Sequence, residues 1–282
     1  MNTDKIITGE RIQFSCDEFL GFDYDFNFNP RVLKEHKNKC LNINKIDKSY
    51  NNKYKIFVYA HRADDRNVFG LIERLNYFEN PFILIFHNSD GQITDSSVQK
   101  LKKISNLRHI YVQNSYSHDE MVTLLPIGIA NRQWPHGNLN IWRDIFATSI
   151  KKENKTYINF SNGTNKTERG KCWLELSRKG YNLEAKKVNY MQYLKNLKES
   201  KLCICPEGNG IDTHRFWETL YVNTIPVCKK SPWSIYWSER FPIILVDKWS
   251  DFNEEKAFSE ILKLPSINYS KLDINNIIKE IL

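Results

Sequence analysis

Seven short apolar runs recur along this chain, and most of them end in a cluster of polar residues. They are KIFVYA (55–60), FILIFH (82–87), HIYVQN (109–114), TYINF (156–160), KLCICP (201–206), TIPVCK (224–229) and FPIILVD (241–247). Longer stretches with helical spacing separate several of them, such as DRNVFGLIERLNYF (65–78) and TNKTERGKCWLELSRKG (164–180), which opens like a capped helix and ends at a glycine. Short buried strands alternating with helices predict parallel sheets built from βαβ units. The segment PIGIANRQWPHGN (126–138) interrupts the alternation. It has neither a helical nor a strand period, so a long structured loop is expected there. The alternation then restarts. Two Rossmann-like halves follow, over residues 1–140 and 141–265, leaving 266–282 as a C-terminal helix with the option of crossing back to the first half.

At 282 residues, 41% of them hydrophobic, the chain can bury two cores and is unlike a disordered composition. No apolar run reaches the length of a bilayer span, and MNTDKIITGERIQF lacks the apolar region of a secretory signal. A cytoplasmic protein without stable membrane insertion is expected. Six cysteines without a CxxC pair read as buried thiols, and four N-x-S/T sequons, at Asn154, Asn159, Asn162 and Asn165, argue against the secretory route. The formal charge of +8 is spread over interleaved lysines and acidic residues, which favours a bias toward a phosphorylated ligand over a dedicated nucleic-acid face. Scattered histidines give no metal spacing, and Asp23-Tyr24-Asp25, the one D-x-D, precedes all seven apolar runs and reads as structural. No metal site and no cofactor are expected. A Ser-His-Asp hydrolase lacks its G-x-S-x-G elbow.

Ligands of parallel sheets bind beyond the C-terminal strand ends. There the chain places His61-Arg62-Ala63-Asp64-Asp65, His87-Asn88-Ser89-Asp90, Gln113-Asn114, Ser161-Asn162-Gly163-Thr164-Asn165 with Arg169, and the stretch CPEGNGIDTHRFWETLYVNTIPV (205–227). Asn162, Thr164 and Asn165 precede a helix whose N-terminus favours a phosphate, with Arg169 available for a bidentate contact. The alternative is a capped surface helix with an exposed arginine. The turn at Glu207, Gly208, Asn209 and Gly210 brings backbone close to a ligand. Asp212, Thr213, His214 and Arg215 open the next helix, and Glu218 lies one turn on, suited to accept hydrogen bonds from two ribose hydroxyls. The alternative there is a simple Arg215–Glu218 pair.

The 205–227 stretch resembles the C-terminal signature of exostosin-like glycosyltransferases, in which a C-P-x-G turn leads to an R-x-x-E helix and a T/C-I-P-V strand. TGERIQ (8–13), DFNFNP (25–30), FHNSDG (86–91), PIGIANRQWPHGN (126–138) and NFSNGTNKTER (159–169) are similar to further blocks of the small soluble members of that family. The resemblance implies an α/β GT-B fold, two Rossmann-like domains facing across a cleft, with the C-terminal domain holding a nucleotide diphosphate-sugar. It implies that Thr164, Asn165, Arg169 and Arg215 hold the diphosphate and Glu218 the ribose. UDP as the nucleotide, for instance in UDP-xylose or another UDP-pentose or UDP-hexose, follows from the resemblance alone.

The expected reaction moves a single sugar to a hydroxyl of a glycan acceptor, inverting and without an essential metal, with Arg169 and Arg215 stabilising the leaving group. Inversion needs a base in the first half. Asp90, His61, Asp64 and His87 are the candidates, and Asp90 is preferred because it follows a strand beside Asn88. His87, Asn88, Trp134 and His136 fall on the acceptor side, the last two by stacking on a sugar ring. A non-catalytic nucleotide-sugar-binding homologue and a basic nucleic-acid-binding protein are the alternatives.

Overall fold

The computed structural model describes residues 1–27, 34–64, 66–183 and 188–281. Residues 28–30 of the DFNFNP block and Asp65 lie outside them. The chain is mixed α/β and divides into two compact units, residues 7–137 with 277–282, and residues 1–6 with 138–276. The unit boundaries fall at Gly137 and within the last helix, and the first six residues belong with the later part of the chain. Among the described residues each unit contains one fully parallel sheet.

In the unit of Ile7–Gly137 the strands are β1 (Glu18–Gly21), β2 (Cys40–Asn42), β3 (Lys55–Tyr59), β4 (Phe82–His87), β5 (Leu107–Val112) and β6 (Val122–Leu124). Their order is β2-β1-β3-β4-β5-β6. Every residue of β4 is buried, as expected for the central strand of a parallel sheet covered on both faces. Helices α1 (Gly9–Phe14), α2 (Asp23–Asn27), α3 (Val68–Leu75) and α4 (Asp95–Leu101) complete the unit. The helix expected over 65–78 is shorter. Asp64 explains its start, since its carboxylate accepts the backbone N–H groups of Arg66 (3.1 Å) and Asn67 (3.0 Å) in a turn before α3. Most of the 126–138 loop has no regular structure, and it is pinned by Ile129 N–H donating to the Ile7 carbonyl at 2.8 Å. Gly128 makes that approach possible. Its φ is +65°, and a Cβ there would stand 2.2 Å from the Ile7 carbonyl oxygen.

The unit of Asn138–Asn276 holds β7 (Glu153–Tyr157), β8 (Ser200–Ile204), β9 (Ile225–Lys229) and β10 (Ile244–Val246), in the order β10-β9-β8-β7. Its helices are α5 (Leu139–Ala147), α6 (Lys166–Arg178), α7 (Tyr190–Glu199), α8 (His214–Tyr221), α9 (Pro232–Ser238) and α10 (Glu254–Ile261), and the unit boundary crosses α11 (Ile274–Glu280). Leu202, Ile204, Val227 and Ile244 from the sheet pack with Cys172 and Leu176 of α6 and with Trp249 and Phe252. The run FPIILVD forms a strand only over Ile244–Val246. Phe241 is instead drawn into an aromatic cluster, edge-on to Trp217 at 5.7 Å, while Trp217 meets Trp237 edge-to-face at 4.8 Å. Among the described residues no helix is long and apolar enough to cross a membrane.

Candidate functional site

Two neighbouring strand ends build the main constellation. After β7 the chain turns through residues 161–165 into α6, and after β8 it turns through residues 205–213 into α8. Asn165 caps α6 by accepting from Glu168 N–H at 3.0 Å, and its amide donates to the Gly208 carbonyl at 2.9 Å. Arg169, one turn into α6, is buried. Its Nε donates to the Glu207 carbonyl and its Nη1 to the Ser161 carbonyl, each at 2.9 Å. Three side-chain donors therefore tie the two turns together. The backbone at Gly208 lies close to Arg169, and a Cβ there would stand 3.0 Å from Arg169 Nη2.

Arg215 enters the same neighbourhood from the first turn of α8. Its Nε and Nη1 are out of contact with solvent and, among the described residues, have no hydrogen-bond partner. The guanidinium lies over the Tyr193 ring, 5.3 Å from its centroid. Burial, reinforced by the positive charge of Arg215, brings Arg169 down to about 10. Burial would lower Arg215 as well, but Tyr193, Cys203, Cys205 and Glu218 beside it outweigh this and raise it, while its Nε and Nη1 remain without acceptors among the described residues. Asn162 adds a buried Oδ1 without a partner among the described residues.

Glu218 is committed differently from the expectation. It is only 4% exposed, and its Oε1 and Oε2 accept the hydroxyls of Tyr190 and Tyr193, each at 2.7 Å. Burial first, then the carboxylate's charge, push Tyr190 well above the usual phenol range, and burial does the same for Tyr193, so both stay protonated as donors. Trp142 Nε1 donates in turn to Tyr190 Oη at 3.2 Å. A ribose held by Glu218 would share that carboxylate with two tyrosines. Asp212 is also buried and accepts Trp217 Nε1 at 2.7 Å, which makes it part of the support of α8. Thr213 stands at the cap position of α8 without a side-chain capping bond, His214 opens the helix, and Asn209 and Thr164 are exposed.

The candidates of the other unit separate clearly. Asp90 is exposed and unpaired among the described residues, and Asp64 is engaged in the turn before α3. His87 is fully buried, with Nε2 against the Pro126 carbonyl and Nδ1 against Asn88 Oδ1, both at 3.2 Å. Asn88 adopts a φ of 55° and bonds Gln113, Gln13 and Asn131. Trp134 is 44% exposed and stacks with His136 at 6.4 Å. His61 stands apart from these, with Nδ1 3.0 Å from Ser89 Oγ and Nε2 3.2 Å from Asp25 Oδ1.

Asp25, read from sequence as structural, is the buried anchor of that group. Arg62 clamps it with two hydrogen bonds of 3.0 and 2.7 Å, and Phe22 N–H donates to it at 2.8 Å. Burial would raise its pKa, but the bonds from His61, Arg62 and Phe22 outweigh this and bring it down to about 2. The folded value lies below the ~3.9 of an unfolded aspartate. Its contribution to stability is therefore complete above about pH 4 and disappears as pH falls through about 2. Between pH 5 and pH 2 we expect the Asp25→Asn variant to lose on the order of 1–2 kcal/mol less than wild type in urea denaturation, and parallel pH slopes would show that Asp25 carries no such stability. Glu10 was also missed. Its Oε1 accepts Arg132 Nε at 2.9 Å, its Oε2 has no partner among the described residues, and burial raises its pKa against the pull of Arg132. A short helical segment at the chain start carried no sequence signal for either role.

No family model and no curated protein matches the chain. Among the described residues no three His, Cys, Asp or Glu side chains stand where they could hold a metal ion.

Proposed function

We propose that this chain is a glycosyltransferase of the GT-B kind that moves one sugar from a nucleotide diphosphate-sugar to a hydroxyl of a glycan acceptor. The observation that carries the reading is the pair Arg169 and Arg215, two guanidiniums at the starts of the helices that follow adjacent strands of one parallel sheet, with Nε and Nη1 of Arg215 idle. A diphosphate answers both demands, since it supplies two charges and a row of acceptor oxygens. As the bond between sugar and diphosphate breaks, negative charge grows on the leaving oxygen, where preorganised cations stabilise it. Backbone at Gly208 and the turn of 161–165 line the same place. UDP is the nucleotide favoured by the sequence resemblance.

The test is thermal unfolding of the full chain with UDP, GDP, UDP-xylose, UDP-glucose and duplex DNA at physiological salt. A ligand bound only by the folded state stabilises by RT ln(1 + [L]/Kd), about 2.7 kcal/mol at a hundredfold excess over Kd. We expect a shift with UDP and with one UDP-sugar, and none with DNA. A shift with DNA alone would overturn the reading in favour of the basic charge as the operative feature.

A further inference from the structure

The hydrogen bonds of the Ile7–Gly137 unit distinguish one titratable group from every other candidate at its strand ends. We propose that His61 is the proton acceptor of the transfer, held by Asp25 in the tautomer whose Nδ1 is presented to the acceptor hydroxyl at the place Ser89 Oγ marks. The inference rests on the transferase reading and deepens it by naming the base and its positioning residue.

The assignment follows from donors and acceptors. A carboxylate only accepts, so in the neutral ring Nε2 carries the hydrogen and donates to Asp25 Oδ1. That leaves the Nδ1 lone pair for a hydroxyl, and Ser89 already supplies one at 3.0 Å. The environment is graded in the sense a base needs. The Asp25 side chain is 3% exposed, that of Arg62 12% and that of His61 40%, so the anchor is hidden while the imidazole is open to a substrate. Asp25 cannot swing away. Arg62 grips both its oxygens, and the guanidinium is itself held over the rings of Phe22 and Tyr24, 4.7 and 4.6 Å from their centroids. Asp25 is thus an ionised, immobile partner, like the aspartate that orients histidine in hydrolytic triads.

The opposite side is equally fixed. Ser89 Oγ accepts Gly91 N–H at 3.2 Å, and the Ser89 carbonyl accepts Asn114 Nδ2 at 3.1 Å. A Cβ on Gly91 would fall 2.6 Å from His61 N, so only glycine lets the turn after β4 lie against the turn after β3. The groups facing His61 are Asp25, Arg62, Ser89 and the Tyr59 ring at 6.0 Å. Competing bases lack this arrangement. His87 is sealed, Asp64 is spent on backbone N–H groups, and Asp90 has nothing to orient it.

In the step, the O–H bond of the acceptor breaks and its proton passes to Nδ1 of His61, making an imidazolium paired with Asp25. The freed oxygen pair forms the bond to the anomeric carbon. The bond from that carbon to the diphosphate oxygen breaks, and its electron pair leaves with the nucleotide diphosphate. Ser89 yields its place to the incoming hydroxyl.

The experiment has two arms on the full-length chain. In the first, ¹H–¹⁵N long-range NMR of the wild type, with His61→Asn to assign the ring, reads the tautomer. Nε2–H in the wild type, with loss of that preference in Asp25→Asn, is expected, and Nδ1–H would overturn the proposal. In the second, UDP release from UDP-xylose and UDP-glucose is followed with methyl glycosides as acceptors, alongside the UDP-induced thermal shift. We expect His61→Asn to lower kcat by about 10²–10⁴-fold and Asp25→Asn by at least roughly tenfold, both with the UDP shift retained. Wild-type rates in His61→Asn, or loss of turnover in Asp90→Asn alone, would remove His61 as the base and leave the transferase standing. UDP binding by a wild type that turns over none of these donors would instead overturn the transferase reading itself.

Discussion

Replacement of Arg215 by alanine is expected to abolish the UDP-induced thermal shift and to lower sugar transfer by about 10²–10³-fold, the usual cost of one preorganised donor to a developing oxyanion. The same change should alter the stability of the ligand-free protein by no more than about 1–2 kcal/mol, because opposing effects nearly cancel. Removing a guanidinium whose Nε and Nη1 are desolvated and unpaired relieves the cost of burying them, while the attraction of Glu218 for its charge is lost. Losing its contact with the Tyr193 face and its aliphatic stem costs a comparable amount. Arg215→Lys should be intermediate in activity, since it keeps the charge but not the planar fork that matches two phosphate oxygens. Urea denaturation and calorimetric titration with UDP check both halves of the expectation. An Arg215→Ala protein that still binds UDP at the wild-type affinity would place the anion elsewhere.

Glu218→Ala should behave in the opposite way, as a folding mutation first. The sequence pattern suggests a carboxylate waiting for a ribose and a variant that loses activity with its fold intact. The buried geometry predicts otherwise. Both oxygens hold tyrosine hydroxyls at 2.7 Å, and truncation would leave the Tyr190 and Tyr193 hydroxyls facing the emptied place of a buried carboxylate. Removing one partner of such a buried charged network typically costs about 3–5 kcal/mol. Glu218→Gln keeps the shape and can still bond both hydroxyls, so roughly 1–2 kcal/mol is expected for it. The measurement is the urea midpoint of the ligand-free variants. A Glu218→Ala protein as stable as wild type would show that the Tyr–Glu–Tyr network does not hold α7 against α8.

Much of the architecture was written locally. β3, β4, β5, β8 and β9 are legible because runs such as FILIF (82–86) are apolar at every position, and a strand buried on both faces needs no further context to be recognised. β1, β2 and β6 were not seen, since strands of three or four residues are too short to show a period. The turns that carry Asn165 and Gly208 were also legible as polar segments, because they follow apolar runs that composition already marks.

What sequence could not supply is which polar groups satisfy one another. Asp25 meets His61 from 36 positions away, Ser89 meets the same ring from 28, and Tyr190 and Tyr193 meet Glu218 from 28 and 25. Asp90 reads as well placed in the sequence and proves unpaired among the described residues, whereas Asp25 reads as structural and proves buried and clamped, with partners that no local spacing names. The amino-acid order by itself determined where strands end and which residue types cluster there, because burial of apolar runs is a local property. Only the tertiary structure decided which of those residues are idle, which are spent and which are aimed. That depends on the rotation and register of packed elements, which core packing sets and no local spacing encodes.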